Sequence, residues 1–121
     1  MTLWTPTDLA TIGFDEELSI AATGPDGTEC TPQIIWHVVV DNALYIRSVR
    51  GTGGAWYRSV RRTGAGAIYV GGIHFKVIFH ADNTKDDAVD DAYRDKYGSG
   101  SSVRTITTPE ARASTLRVDP A

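Results

Sequence analysis

A mainly β, α+β fold is what the sequence predicts: a six-stranded antiparallel β-barrel with flanking helices. Three observations lead there. Six stretches carry the apolar patterning of strands. Most connections between them are too short for the crossover helix that a parallel sheet requires. The helical stretches do not alternate regularly with the strands, which sets them outside an antiparallel barrel rather than within a doubly wound sheet.

The order along the chain begins with Thr5-Pro6-Thr7-Asp8, a helix start with Thr5 as N-cap, Pro6 at the first helical position and Asp8 near the positive end of the dipole. That helix is expected to run to about Ile12 and stop at Gly13. Glu17 to Thr23 reads as a strand closed by the turn Gly24-Pro25-Asp26-Gly27. Gln33 to Val40 is densely apolar and β-branched, which predicts one strand buried on both faces. Asp41-Asn42 turns it into Ala43 to Val49, giving an antiparallel hairpin. The loop Arg50-Gly51-Thr52-Gly53-Gly54 leads into a short helix, Ala55 to Arg62, ended by Gly64. Two strands follow, Ala67 to Gly71 and Ile73 to His80. In the second, Ile73, Phe75, Val77 and Phe79 alternate with His74, Lys76, Ile78 and His80, the pattern of a half-buried strand. Thr84 is the expected cap of a helix from Lys85 to Tyr97, whose Ala88, Val89, Ala92, Tyr93 and Tyr97 form an apolar stripe. Gly98 to Ser102 reads as a mobile loop and Ser114 to Val118 as the closing strand.

The 121 residues fit a single domain, 1–121, with 41% hydrophobic and 22% charged residues, as in globular proteins. No apolar run approaches the roughly 20 residues needed to span a bilayer. The first six residues lack the basic and apolar regions of a signal peptide, so a cytoplasmic location without membrane attachment is expected. The single cysteine, Cys30, excludes an internal disulfide and any multi-cysteine metal site.

Charge is distributed unevenly. From Asn42 to Ala81 there are six basic residues (Arg47, Arg50, Arg58, Arg61, Arg62 and Lys76) and no acid, although the whole chain carries a net charge of -3. All fifteen acids lie outside that segment. An acid-free basic stretch in an acidic protein points to a local anion site, while Arg61 and Arg62 read equally well as a solvated helix face.

The chemistry-bearing unit is strand, glycine loop, helix, strand. A helix N-terminus exposes unpaired amides and a partial positive charge, and glycines let the backbone approach a ligand closely. Arg47 and Arg50, three apart across a strand end, are placed to grip one phosphate or carboxylate together with the amides of Gly51 to Gly54. The loop matches neither the Walker nor the dinucleotide fingerprint, which excludes nucleotide triphosphate chemistry of those kinds. Trp56 reads either as a stacking partner for a flat ring or as a core anchor. Tyr57 is the candidate catalytic residue, as proton donor or ligand partner; its alternative is a packed tyrosine with a wet hydroxyl. Ser48 has no local base signature. His37, His74 and His80 have no metal-ligand spacing, so no metal site is expected. The six aspartates from Asp82 to Asp95 read as a solvated helix face and dipole partner.

Leu44-Tyr45-Ile46-Arg47-Ser48, Arg50-Gly51, Ala55-Trp56-Tyr57-Arg58 and Ile68-Tyr69-Val70-Gly71 resemble an uncharacterised bacterial domain family. So do the helix Val89 to Gly98 and the ending Ala113 to Val118. The family belongs with the FMN-binding split barrels, which include pyridoxamine-phosphate-oxidase-like flavoproteins and deazaflavin-dependent nitroreductases. The resemblance implies a split barrel, an FMN or deazaflavin cofactor, and a homodimer with the cofactor between subunits. It further implies that Arg47, Ser48, Arg50 and Thr52 hold the phosphate, with Trp56 beside the ring or the dimer interface. The Gly-Thr-Gly-Gly loop departs from the Ser-basic pair common in those flavoproteins.

The leading functional expectation is therefore an oxidoreductase passing hydride between a bound flavin or deazaflavin and a small organic substrate. The alternatives are a cofactor-independent enzyme of secondary metabolism, such as a cyclase or isomerase, and a small-ligand-binding module using the same pocket. Nucleic acid is the least favoured partner, because the basic stretch is short and the pI is about 5.5.

Overall fold

The structure, a computed structural model, describes residues 3–121. Among the described residues, five α-helices and seven strands run in the order α1 (Pro6–Phe14), β1 (Leu18–Ala22), β2 (Gln33–Ile35), β3 (His37–Val40), β4 (Ala43–Ile46), α2 (Ala55–Thr63), β5 (Ala65–Val70), β6 (Ile73–Ala81), α3 (Asp86–Tyr97), α4 (Ser101–Ile106), α5 (Pro109–Ala113) and β7 (Leu116–Pro120). One turn of 3-10 helix, Gly51–Gly53, precedes α2. The strands form a single antiparallel sheet in the order β2-β1-β5-β6-β7-β4-β3.

The sheet has seven strands where the sequence predicts six, because the run from Gln33 to Val40 is two strands, not one. It breaks at Trp36. Its first half pairs with β1 and its second half with β4, so a single residue separates the two edges of the sheet. That geometry requires the sheet to roll until its edges meet, which makes an almost closed barrel split at Trp36. The expected burial on both faces holds for most of β3 only; Gln33 and Ile34 are exposed. Nothing in the local sequence marks the break, since the run contains no glycine or proline.

Local chemistry explains most other elements. Thr5 caps α1, its hydroxyl accepting from the Asp8 amide at 3.1 Å, and the helix continues through Gly13 to Phe14. Asp41 and Asn42, at φ 50° and 63°, form a two-residue turn in the left-handed region, whose twist suits the β3–β4 hairpin. Gly64 ends α2 in the left-handed conformation, its amide donating to the Val60 carbonyl at 2.8 Å. Thr84 does not cap α3. Lys85 takes that position, while Thr84 donates from its amide and hydroxyl to Asp82. The expected loop from Gly98 to Ser102 ends at Gly100, and α4 and α5 follow. Thr108-Pro109-Glu110 starts α5 as Thr5-Pro6 starts α1, with the Ala111 amide donating to Thr108 Oγ1 at 3.2 Å.

Alternation along the strands divides the apolar residues into two layers. Ile20, Leu44, Ile46, Ile68, Leu116 and Val118 point into the barrel, where α1 adds Ile12 and α2 adds Tyr57 and Val60. Trp4 closes one side, its indole N–H donating to the Val118 carbonyl at 2.8 Å. Val38, Val40 and Tyr45 point outward beneath α3 and α4, against Val89, Tyr93, Val103 and Ile106. Each fully buried Leu, Ile or Val contributes roughly 1.5–3 kcal/mol. Among the described residues no helix is long and apolar enough to cross a membrane.

Candidate functional site

The parity of β4 decides where its last residues face. Leu44 and Ile46 enter the barrel and Tyr45 faces α3, so Arg47 falls on the α3 side and Ser48 on the barrel side. Arg47 is buried, and its donors are all engaged within the protein. Nε donates to Thr115 Oγ1 at 2.9 Å, and one terminal nitrogen donates to Asp90 and to the Ile106 carbonyl. The other donates to the carbonyl of Asp86 at 3.0 Å and to its carboxylate at 3.3 Å. The guanidinium also lies over the Tyr93 ring, 5.8 Å from its centre. Asp90 bridges onward to Arg112, which reaches Asp87 as well. The acidic face of α3, expected to be solvated, thus contains the partners of Arg47. Arg47 itself, expected at the phosphate, lines a smaller cavity of about 280 Å³ and not the larger one at the loop.

That larger cavity has a volume of about 490 Å³, the size of small-molecule sites, and opens between β1, α2, the approach to β2 and the loop after β4. Ser48, Arg50 and Trp56, three of the residues expected at the cofactor, line it. Ser48 is only 2% exposed, yet its hydroxyl makes no hydrogen bond to any described residue. Its amide donates to Ser114 Oγ at 2.8 Å, which fixes the backbone. A Cβ on Gly54 would collide with Ser48 Oγ, so glycine there keeps the hydroxyl beside the start of α2. Gly54 caps that helix without a side chain, and Ala55 and Trp56 of its first turn lie on the cavity. Arg50 is exposed, and no ion pair among the described residues involves it. No acidic residue lines the cavity.

Gly51 serves the fold rather than the ligand. Its amide donates to the Ser48 carbonyl at 2.9 Å, its φ is +67°, and a Cβ would meet the Glu110 carbonyl at 2.8 Å. Gly54's amide is likewise turned inward, to the Gly51 carbonyl at 3.2 Å. The amides expected to converge on an anion therefore reduce to those of the first turn of α2. Thr52 is exposed and outside the cavity lining. Tyr57 is 8% exposed and packs in the barrel core; neither cavity includes it. Trp56 is half-buried, packs against the same core, as its core-anchor reading expects, and borders both cavities.

Sequence reasoning did not place Cys30, Thr31 and Gln33 opposite the loop, nor Ser59 on the second turn of α2. The four-residue spacing of Ala55 and Ser59 puts both on one helix face, a signal that was present. The contribution of Thr31 and Gln33 comes from barrel closure and has no local signature.

A second polar cluster ties the split together. His37 is fully buried; Nε2 donates to the Ile12 carbonyl at 2.6 Å, leaving Nδ1 a buried acceptor without a partner. Burial, and then the Lys96 charge, push its pKa down to about 4. Lys96 donates to the His37 carbonyl at 2.9 Å, and burial lowers its own pKa to about 8. Tyr97 stacks on Trp36 at 4.1 Å, donates to the Glu16 and His37 carbonyls and is raised to about 12, chiefly by burial. On the opposite face, Glu29 accepts from Tyr69 at 2.5 Å and pairs with His74 at 2.7 Å, which hold its carboxyl below the usual range.

Known structures share the fold. An F420 reductase is 18% identical with a TM-score of 0.59, covering 93% of this chain and 91% of its own. An FAD-binding protein from Mesorhizobium loti is 13% identical with a TM-score of 0.56, over 98% of this chain and 88% of its own. A conserved hypothetical protein from Mycobacterium tuberculosis gives 12% and 0.65, over 97% and 79%. These likenesses match the split-barrel architecture built above. A sequence search of curated proteins finds no match. Residues 8–118 match the model of a family designated DUF2255, uncharacterised proteins conserved in bacteria, and the chain belongs to that family.

Proposed function

We propose that this protein is a flavin- or deazaflavin-binding oxidoreductase of the split-barrel type. The observation that carries the reading is the Ser48 hydroxyl: on a residue only 2% exposed, without a hydrogen-bond partner among the described residues, and on the lining of an acid-free cavity at the start of α2. A hydroxyl held this way on a cavity wall keeps its proton free to donate to a ligand. A phosphate monoester fits the donor set. Ser48 donates one hydrogen bond, the first-turn amides of α2 add theirs with the helix dipole, and Arg50 supplies the charge. The fit excludes Arg47, whose donors are engaged elsewhere.

Trp56 borders both cavities and gives a ring system a wall to lie against. When bound, the isoalloxazine or deazaflavin supplies the hydride chemistry. The chain's own part is to anchor the phosphate, orient the ring beside Trp56 and exclude water with Ile20, Ala22 and Val60. Arg50 and Cys30 are the titratable side chains on the lining, which fits a cofactor-driven reaction and does not support Tyr57 as proton donor. The same scarcity of acid–base groups favours, as second reading, a module that binds a phosphorylated ligand without transforming it.

The resemblance to the split barrels implies a cofactor between subunits, so the reading includes a homodimer. Ile34 and Val49 are 68% and 57% exposed at the mouth of the smaller cavity, and a second copy of this chain covering them would complete the site. The experiment is to record the visible spectrum of the purified protein and titrate it with FMN and with reduced and oxidised deazaflavin. Binding in the micromolar range is expected for one of them; no colour and no such binding would overturn the reading.

A further inference from the structure

The smaller cavity, of about 280 Å³, adjoins the larger one, since Gln33, Val49 and Trp56 line both. The rest of its lining differs in kind. Ile34, Ile35 and Ile106 make it apolar, and Trp36 adds a second indole to that of Trp56. Tyr97 stacks on Trp36 with ring centres 4.1 Å apart and so fixes that ring at the cavity. The antiparallel pairing of β1 and β2 sets Leu18 opposite Ile35, and the same register carried one residue further brings Glu17 beside Trp36. Glu17 is exposed on the lining, and no ion pair among the described residues involves it. Arg47, the cation on this lining, is engaged by Asp86 and Asp90. The two cavities therefore have opposite character: an anion-receiving end at Ser48, Arg50 and α2, and an apolar end whose free charge is a carboxylate.

We infer that the smaller cavity receives the substrate, and that this substrate is a flat apolar molecule with a positive charge and no anionic group. The inference rests on the flavin reading above; Trp56 borders both cavities, so their occupants are neighbours. The volume, that of about nine waters in the liquid, accommodates a fused pair of rings. Trp36 and Trp56 offer such a body aromatic contact, and an indole face also attracts a cation. Glu17 pairs with the charged group at the rim, an exposed contact that gains only a few-fold in affinity. An anionic group would meet the Glu17 carboxylate and would find in Arg47 a guanidinium whose donors are engaged.

The test is calorimetric titration of the purified full chain with naphthylmethylamine, naphthylmethanol and naphthoate, which share one ring system and differ in charge. Excess inorganic phosphate keeps naphthoate from the anion site of the larger cavity. The amine should bind about tenfold more tightly than naphthoate and about fivefold more tightly than the alcohol. Glu17→Gln, a change at an exposed position, should bring the amine to within about twofold of the alcohol and leave the alcohol's affinity unchanged. Protein saturated with FMN should still bind the amine, because substrate and cofactor have to be held together. No binding of the amine, equal affinities for the three probes, a preference untouched by Glu17→Gln, or displacement of the amine by FMN would overturn the inference. The two proposals fail separately. FMN binding without the amine preference removes this one alone, and the preference without binding of FMN or deazaflavin removes the flavin reading and leaves a site for a cationic ligand.

Discussion

Arg47 shows how the burial of one residue redirects a functional reading. In the sequence it is the strand-end cation nearest a glycine loop, but strand parity turns it beneath α3, where Asp86, Asp90, Thr115 and two carbonyls take its donors. It has become the tie between the sheet and the helices α3 to α5. Replacing Arg47 with Ala leaves Asp86 and Asp90 without their partner in a largely buried setting, a change that costs about 3–5 kcal/mol when a buried pair is broken. Urea unfolding monitored by circular dichroism should show that loss. A midpoint close to the wild type would mean the network carries little stability. Ser48, one residue on, takes the opposite face and lies on the cavity of the proposed phosphate site. The sequence expectation put both residues at the phosphate; only the parity set by Leu44 and Ile46 separates them, and that needs the strand's inner face to be known.

At the scale of elements, what was legible followed from local chemistry. Thr5-Pro6, Asp41-Asn42, Gly64 and the alternation of β6 each encode their structure within a few residues. The break at Trp36 is decided by distant pairing and leaves no local mark. The helices α4 and α5 were masked by the Gly-Ser stretch before them, although Thr108-Pro109 carried a start signal. His37 joins three elements at this break: it belongs to β3, donates to the end of α1 and lies against Lys96 of α3. Its pKa falls from an ordinary 6.5 to about 4, so the unfolded chain binds the extra proton first. The stability this burial preserves is present above pH 6.5 and lost as pH falls toward 4, by an amount of order 3 kcal/mol. Lys96, with its window between about 8 and 10.5, does not contribute to that slope. Thermal unfolding across this range should lose the slope in His37→Gln; an identical slope in the variant would assign it to other groups.

For the molecule as a whole, closure of the barrel brings the Cys30–Gln33 segment opposite the loop after β4 and makes one cavity from distant residues. The same closure leaves the short edge strand β2 exposed, with Ile34 outward beside Val49. Light scattering should give the mass of two copies for the wild type and of one for Ile34→Glu, since a buried charge at such an interface is costly. A wild-type mass of one copy would contradict the shared site.

The proposed function requires Ser48 and the start of α2 to hold a flavin by its phosphate. Titration with FMN and with riboflavin, which lacks the phosphate, tests it on the wild type and on Ser48→Ala. FMN should bind the wild type at least about tenfold more tightly than riboflavin, and the loss of one hydrogen bond to a charged group should cut that advantage by about tenfold in Ser48→Ala with riboflavin binding unchanged. Equal affinity for the two ligands in the wild type, or an FMN preference untouched by Ser48→Ala, would contradict the account.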